Sequence, residues 1–281
     1  MKKFTLSATV AASLALFAGA ATAQVTDALV VEGTTISTSA PAADWLDIDQ
    51  VLSGWSFRTV ETRALQMDDF DNPGMIFVDQ AIDDWSTVDG TEGKSCSSCH
   101  TDGPEEFAGL RAELPRWDEA QGKMMNMEDY INLSRVEHMG AEPWKWAKPR
   151  MDAMVALISL QSRGMTINVA IDGPVADAWE QGREIYYTRV GQLDMSCANC
   201  HEDNYGNMIR ADHLSQGQIN GFPTYRLKNA KLNSTHARFS GCMKNIRAEP
   251  FAVGSEEFRA LELYVASRGN GLSAEGPSVR N

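Results

Sequence analysis

Two short segments share a spacing that few chemistries use, Cys96-Ser97-Ser98-Cys99-His100 and Cys197-Ala198-Asn199-Cys200-His201. Both fit C-x-x-C-H, in which two thiols three residues apart reach the two vinyl groups of one porphyrin as thioethers, and the adjacent histidine turns its imidazole onto the iron. The competing reading is a pair of short-loop disulfides with incidental histidines, or half of a zinc site. With only five histidines in the chain, a given cysteine is followed by this pattern by accident on the order of once in a few thousand cases. Two accidents are not credible, and a zinc site would need both pairs to converge. Two covalent haem c groups are expected, attached through Cys96, Cys99, Cys197 and Cys200, with His100 and His201 as axial iron ligands.

The repeat extends beyond the motifs. A serine precedes each one, and Ser162-Arg163-Gly164 recurs as Ser267-Arg268-Gly269. Each Ser-Arg-Gly closes a segment with helical periodicity, Met151 to Gln161 and Glu256 to Ala266, with glycine at the expected stop. At 281 residues the chain is long enough for two domains with their own cores. The breaker cluster Asp172-Gly173-Pro174 puts their boundary near residues 165–173. The expected organisation is a signal segment over 1–23, a first haem domain over 24–165 and a second over 166–281. Few alternating runs support a sheet, so the predicted fold class is mostly α, with two tandem cytochrome c-type domains. The segment Gln24 to Ala42, rich in Val, Thr and Ser, is expected to form a short ribbon or arm packed on the body.

Lys2 and Lys3, the apolar stretch Phe4 to Ala20 and the small residues Ala21-Thr22-Ala23 read as a secretory signal cleaved near Ala23. Its bacterial character makes the periplasm the expected destination. No run of about 18 apolar residues follows, so no membrane span is expected. Without Lys2 and Lys3 the chain has 23 basic against 38 acidic residues, a formal charge of -15. That balance argues against a nucleic-acid partner, which needs clustered cations to displace counterions.

Cys242 is left over once the motifs have taken two cysteines each. It reads either as a buried inert thiol or as a reactive one. His236, Arg238, Lys244 and Arg247 lie within six residues and would lower a thiol pKa and attract an anion, unless the run is merely a solvated face.

Several stretches then resemble the SoxA family, cytochrome subunits of the SoxAX complex of bacterial thiosulfate oxidation. They are Pro223 to Leu272 around Cys242, including Arg238 four residues before it, SCSSCH at 95–100, INLSR at 131–135 and the second haem motif 45 residues before Cys242. The similarity covers essentially the whole chain after the signal segment. The resemblance implies that Cys242 is an axial ligand of the second haem, is carried as a persulfide and is the catalytic group, with Arg238 holding the anionic substrate. It implies a SoxX partner, the carrier SoxYZ, thiosulfate as substrate and an acceptor cytochrome c. The implied activity is that of an L-cysteine S-thiosulfotransferase. It joins thiosulfate oxidatively to a carrier cysteine as a cysteine S-thiosulfonate and releases two electrons through haem.

One position departs from the family pattern. Ser134 stands where dihaem members usually supply a distal thiolate to the first haem, and a neutral hydroxyl is a poor ligand for low-spin iron. His138, one helical turn on, is the expected substitute, with Met124, Met125, Met127 and Met139 as rivals. Trp144 and Trp146 are expected to wall the first haem pocket, and His213 and His236 to be structural. The rival functions are a dihaem thiosulfate dehydrogenase forming tetrathionate, a plain dihaem electron carrier and a peroxidase. A carrier has no use for an anion clamp beside its ligand, and a peroxidase wants an open haem without thiolate.

Overall fold

The computed structural model describes residues 28–281, so the signal segment and its cleavage site lie outside the described residues. Within them the α-helices are α1 (Val60–Leu65), α2 (Met75–Ser86), α3 (Leu110–Glu113), α4 (Met127–Leu133), α5 (Pro149–Leu160), α6 (Ala176–Tyr187), α7 (Cys197–His201), α8 (Thr235–Asn245) and α9 (Glu256–Ser267). The internal repeat is visible in how they pack. Helix α2 lies on α5, and α6 lies on α9. Each pair frames one C-x-x-C-H loop.

Local chemistry repeats with it. Helix α5 is buried on nearly every face, from Met151 to Ser159, as an apolar segment without an amphipathic stripe requires. Its counterpart α9 starts at Ser255, whose hydroxyl accepts from the Phe258 N–H, and carries Glu256 and Glu257 in its first turn, where the helix dipole favours acids. Gly90 has φ +76 and sits where a Cβ would meet the Met139 carbonyl oxygen at 2.2 Å, and Gly191, at φ +73, would meet that of Ile246 at 2.4 Å. A backbone crossing that only glycine permits therefore recurs in both halves. In the Ser-Arg-Gly pairs, Ser162 and Ser267 are buried and hydrogen-bonded, while only Gly164 takes the left-handed conformation expected of a stop.

Two cores result, and neither is confined to its half of the sequence. The first gathers α2, α5, Met127 and Ile131 but also Leu232. The second gathers Val175, Tyr186, Phe258 and Leu261 but also Ala112. Short strands tie the molecule together, more of them than the sequence pattern suggested. Thr224–Arg226 pairs antiparallel with Lys231–Asn233 and parallel with Ser278–Arg280. The N-terminal segment does form ribbons, Leu29–Val31 with Thr34–Ile36 and Ser39–Pro41 with Gln50–Leu52. It packs on the second half, with Trp45 5.2 Å from Trp179 and 5.7 Å from Tyr264 between ring centres. No helix among the described residues is long and apolar enough to cross a membrane.

Candidate functional site

Each haem-type motif is opened by the serine that precedes it. Ser95 and Ser98, and likewise Ser196 and Asn199, exchange side-chain and backbone hydrogen bonds as capping boxes. The first motif is then a single 3-10 turn, Cys96–Ser98, and the second is α7. Both place the histidine one step beyond the second thiol.

The first site is a cavity of about 470 Å³, within the roughly 300–1,000 Å³ usual for ligand sites. Cys96, Cys99 and His100 line it, and so do Ser134, His138 and Met139. The last three come from the end of α4, where the helix widens into a π turn over Ser134–His138 that turns Ser134 and His138 toward one space. The buried Arg135 anchors this turn by pairing with Asp89 at 2.7 Å and donating to the Glu142 carbonyl at 3.0 Å. His100 Nδ1 lies 3.0 Å from Glu106 Oε2, and its ring packs against Phe107 at 4.8 Å and Trp85 at 5.7 Å.

Trp144 and Trp146 do not line this cavity, contrary to expectation. The chain turns away after the π turn, so Trp144 stacks beneath Arg135 and Arg150, and Trp146 stacks on His236 and beneath Arg259. Trp85 and Phe107 line the cavity instead. Of the four methionines, Met127 and Met139 reach it. Met124 packs against the second core and Met125 is buried elsewhere.

At the second site His201 Nδ1 lies 2.7 Å from the Ser215 carbonyl oxygen, so Nδ1–H donates to it and Nε2 is the nitrogen left to face Cys242. Gly217 runs beneath the ring, where a Cβ would come within 2.9 Å of His201 Cγ. Cys242, half-buried on α8, faces the same histidine. Burial pushes its thiol up, but Arg238, the His201 ring and Arg226 outweigh that and bring it down to about 7. The attachment thiols move the other way. Burial raises Cys96 and Cys200, and takes Cys197 up to about 12.

The cations around Cys242 are only partly those the sequence suggested. Lys244 and Arg247 are exposed, as in a solvated face. Arg226, on the strand Thr224–Arg226, was missed because strand pairing rather than sequence proximity brings it near Cys242. Arg58, from the N-terminal part, lies near enough to Arg238 to repel it and is itself ion-paired with Asp212. His236 faces elsewhere. Its Nδ1 accepts from the Gly254 N–H at 3.0 Å and its Nε2 lies 3.1 Å from Glu262. His213 contributes a carbonyl to Arg58 while its side chain is exposed.

The residues present fit a covalent haem at each motif. Paired thiols adjoin a histidine whose Nδ1 is already engaged, which leaves Nε2 for iron, and the first site has a cavity with apolar walls.

Comparison with known proteins agrees with this geometry. The SoxA/TsdA cytochrome c domain model matches residues 80–167 and 181–274. The L-cysteine S-thiosulfotransferase subunit SoxA of Paracoccus pantotrophus is 58% identical over 99% of this chain and 98% of its own. Its namesake from Rhodovulum sulfidophilum is 58% identical over 94% of each, and that from Pseudaminobacter salicylatoxidans 47% identical over 91% and 90%. The crystal structure of SoxXA from P. pantotrophus superposes with a TM-score of 0.89 at 58% identity, covering 92% of this chain and 99% of that one. A geometry built on two cytochrome c motifs, matched at this identity along nearly the whole chain, places the protein in the SoxA family.

Proposed function

We propose that this chain, with a SoxX subunit, is an L-cysteine S-thiosulfotransferase that joins thiosulfate to a cysteine of the carrier SoxYZ. Thiosulfate and the carrier thiol gain one S–S bond and lose one proton and two electrons, giving a cysteine S-thiosulfonate. The observation that carries this reading is Cys242 facing His201 with Arg238 and Arg226 beside it. A plain electron carrier has no need of guanidiniums gathered around a thiol. The curated relatives named above are SoxA subunits, which favours a carrier cysteine over free tetrathionate as the product.

Haem bound at each motif supplies one-electron acceptance. Cys96, Cys99, Cys197 and Cys200 would hold the two groups covalently, and His100 and His201 would offer Nε2 to the iron. Cys242 would be a further iron-binding residue at the second motif, and His138 at the first. Arg238 binds the sulfonate end of thiosulfate, as a planar fork of donors suits a tetrahedral oxyanion. Because the whole chain repels anions, recognition falls to this clamp. Cys242 acts as a persulfide. Its terminal sulfur and the carrier thiolate form a trisulfide with loss of two electrons. Thiosulfate then displaces the persulfide, which leaves the S-thiosulfonate on the carrier and regenerates Cys242 persulfide. The functional halves are residues 24–165 and 166–281, and the signal segment 1–23 delivers the chain to the periplasm.

The test is thiosulfate-dependent reduction of an acceptor cytochrome c in the presence of SoxX and SoxYZ. Cys242→Ser keeps both haems, because other cysteines attach them, and abolishes turnover. Near wild-type rates in that variant would sink the mechanism.

A further inference from the structure

The two halves hold their motif histidines by different second partners. In the second half, His201 Nδ1–H donates to a neutral acceptor, the Ser215 carbonyl. In the first, the acceptor is the Glu106 carboxylate, 3.0 Å from His100 Nδ1. The difference is built into the loops. After His201 the chain runs through a hairpin, Met208–Ile209 with Asp212–His213, before the Ser215 carbonyl returns to the ring's Nδ1 edge. After His100 it makes one tight 3-10 turn, Pro104–Phe107, entered through Gly103 at φ +88.

That turn fixes the carboxylate on both oxygens. Oε2 faces His100 while Oε1 accepts from the Asp102 N–H at 3.0 Å. Both bonds are met by one side chain because a carboxylate offers two acceptor oxygens. Phe107, the next residue, packs on the same ring and limits its rotation. Glu106 lies at the surface, but both of its oxygens are tied to this loop.

We infer that Glu106 is a positioning residue that orients His100 and holds the first haem at a lower midpoint potential than a neutral acceptor would. The inference rests on reading Cys96 to His100 as a haem site. An anionic partner draws the Nδ1 proton toward itself, makes the ring a stronger donor and favours the oxidised iron. The Ser215 carbonyl does this less.

The experiment compares wild type, Glu106→Gln and Glu106→Ala as purified holoproteins. Haem content is read by intact mass, and both midpoint potentials by spectroelectrochemical titration. The two transitions are assigned by which one Cys242→Ser displaces. Gln can still accept the His100 bond but has no charge, so it separates electrostatics from support. The expected result is an upward shift of the first haem in Glu106→Gln, at least as large in Glu106→Ala, with the second haem unmoved. An unchanged first potential in Glu106→Gln, or equal shifts of both haems, overturns the inference. A wild-type mass with one haem and an oxidised Cys96–Cys99 pair would instead refute the haem reading of the first motif.

Discussion

Between the two cores lies a pair of buried carboxyls, and replacing Glu128 by Gln tests what they cost. Glu128 and Glu262 are 6% and 7% exposed and line a cavity of about 20 Å³, room for about one water, together with Arg111 and Asn126. Glu262 is the ionised member. Burial opposes its charge, but His236, Arg111 and the Asn126 amide, which donates at 2.6 Å, hold its pKa down. Glu128 shares Arg111 but receives no hydrogen bond from His236 or Asn126, and burial followed by the Glu262 charge pushes it up from 4.5 to about 8. A carboxyl whose pKa rises on folding binds its proton more tightly in the native state. Its contribution is thus harmless below pH 4.5 and increasingly unfavourable from there to about pH 8. At 1.36 kcal/mol per unit, the interval from pH 5.5 to the native pKa amounts to about 3 kcal/mol. Glu128→Gln keeps the shape and removes the ionisation. Urea denaturation of the holoprotein, followed by circular dichroism at pH 5.5 and 8.5, should show wild type losing about 3 kcal/mol relative to the variant. Asp152, also buried and pushed up to about 7, is present in both proteins and cancels in the comparison. Stability curves that run parallel between the two pH values would refute the assignment of Glu128 as the protonated partner.

Three further outcomes are expected. His138→Ala should turn the first haem high-spin in low-temperature EPR of the oxidised protein, and an unchanged low-spin signal would point to a methionine of that cavity, Met127 or Met139. Arg238→Ala should raise KM for thiosulfate about ten- to hundredfold, the loss of one charge-assisted bond, with both haems retained. Unchanged KM would remove Arg238 from substrate binding. Gly217→Ala should cost about 1–3 kcal/mol and disturb only the second haem's spectrum, because the new Cβ meets the His201 ring and the backbone there has φ +81. A wild-type melting temperature in that variant would contradict the close approach.

The sequence by itself determined the chemistry of this protein. Haem attachment needs two thiols and a histidine at fixed local spacing, so the C-x-x-C-H motifs, their capping serines and the helices Pro149–Leu160 and Glu256–Ser267 were legible along the chain. Cys242 and Arg238 were legible because they lie four residues apart on one helix, α8. Tertiary structure decided what surrounds those groups. Arg226 comes to Cys242 through a three-stranded sheet closed by the C-terminal strand Ser278–Arg280, a pairing across some fifty residues that no local pattern encodes. Trp144 and Trp146 were misplaced because an aromatic side chain fits a haem wall or an arginine face equally well, and only the path of the chain after the π turn chooses between them. The buried Glu128–Glu262 pair and the two cores that borrow Leu232 and Ala112 across the halves have the same origin. Covalent chemistry is set by neighbours in sequence, whereas burial and electric field are set by neighbours in space.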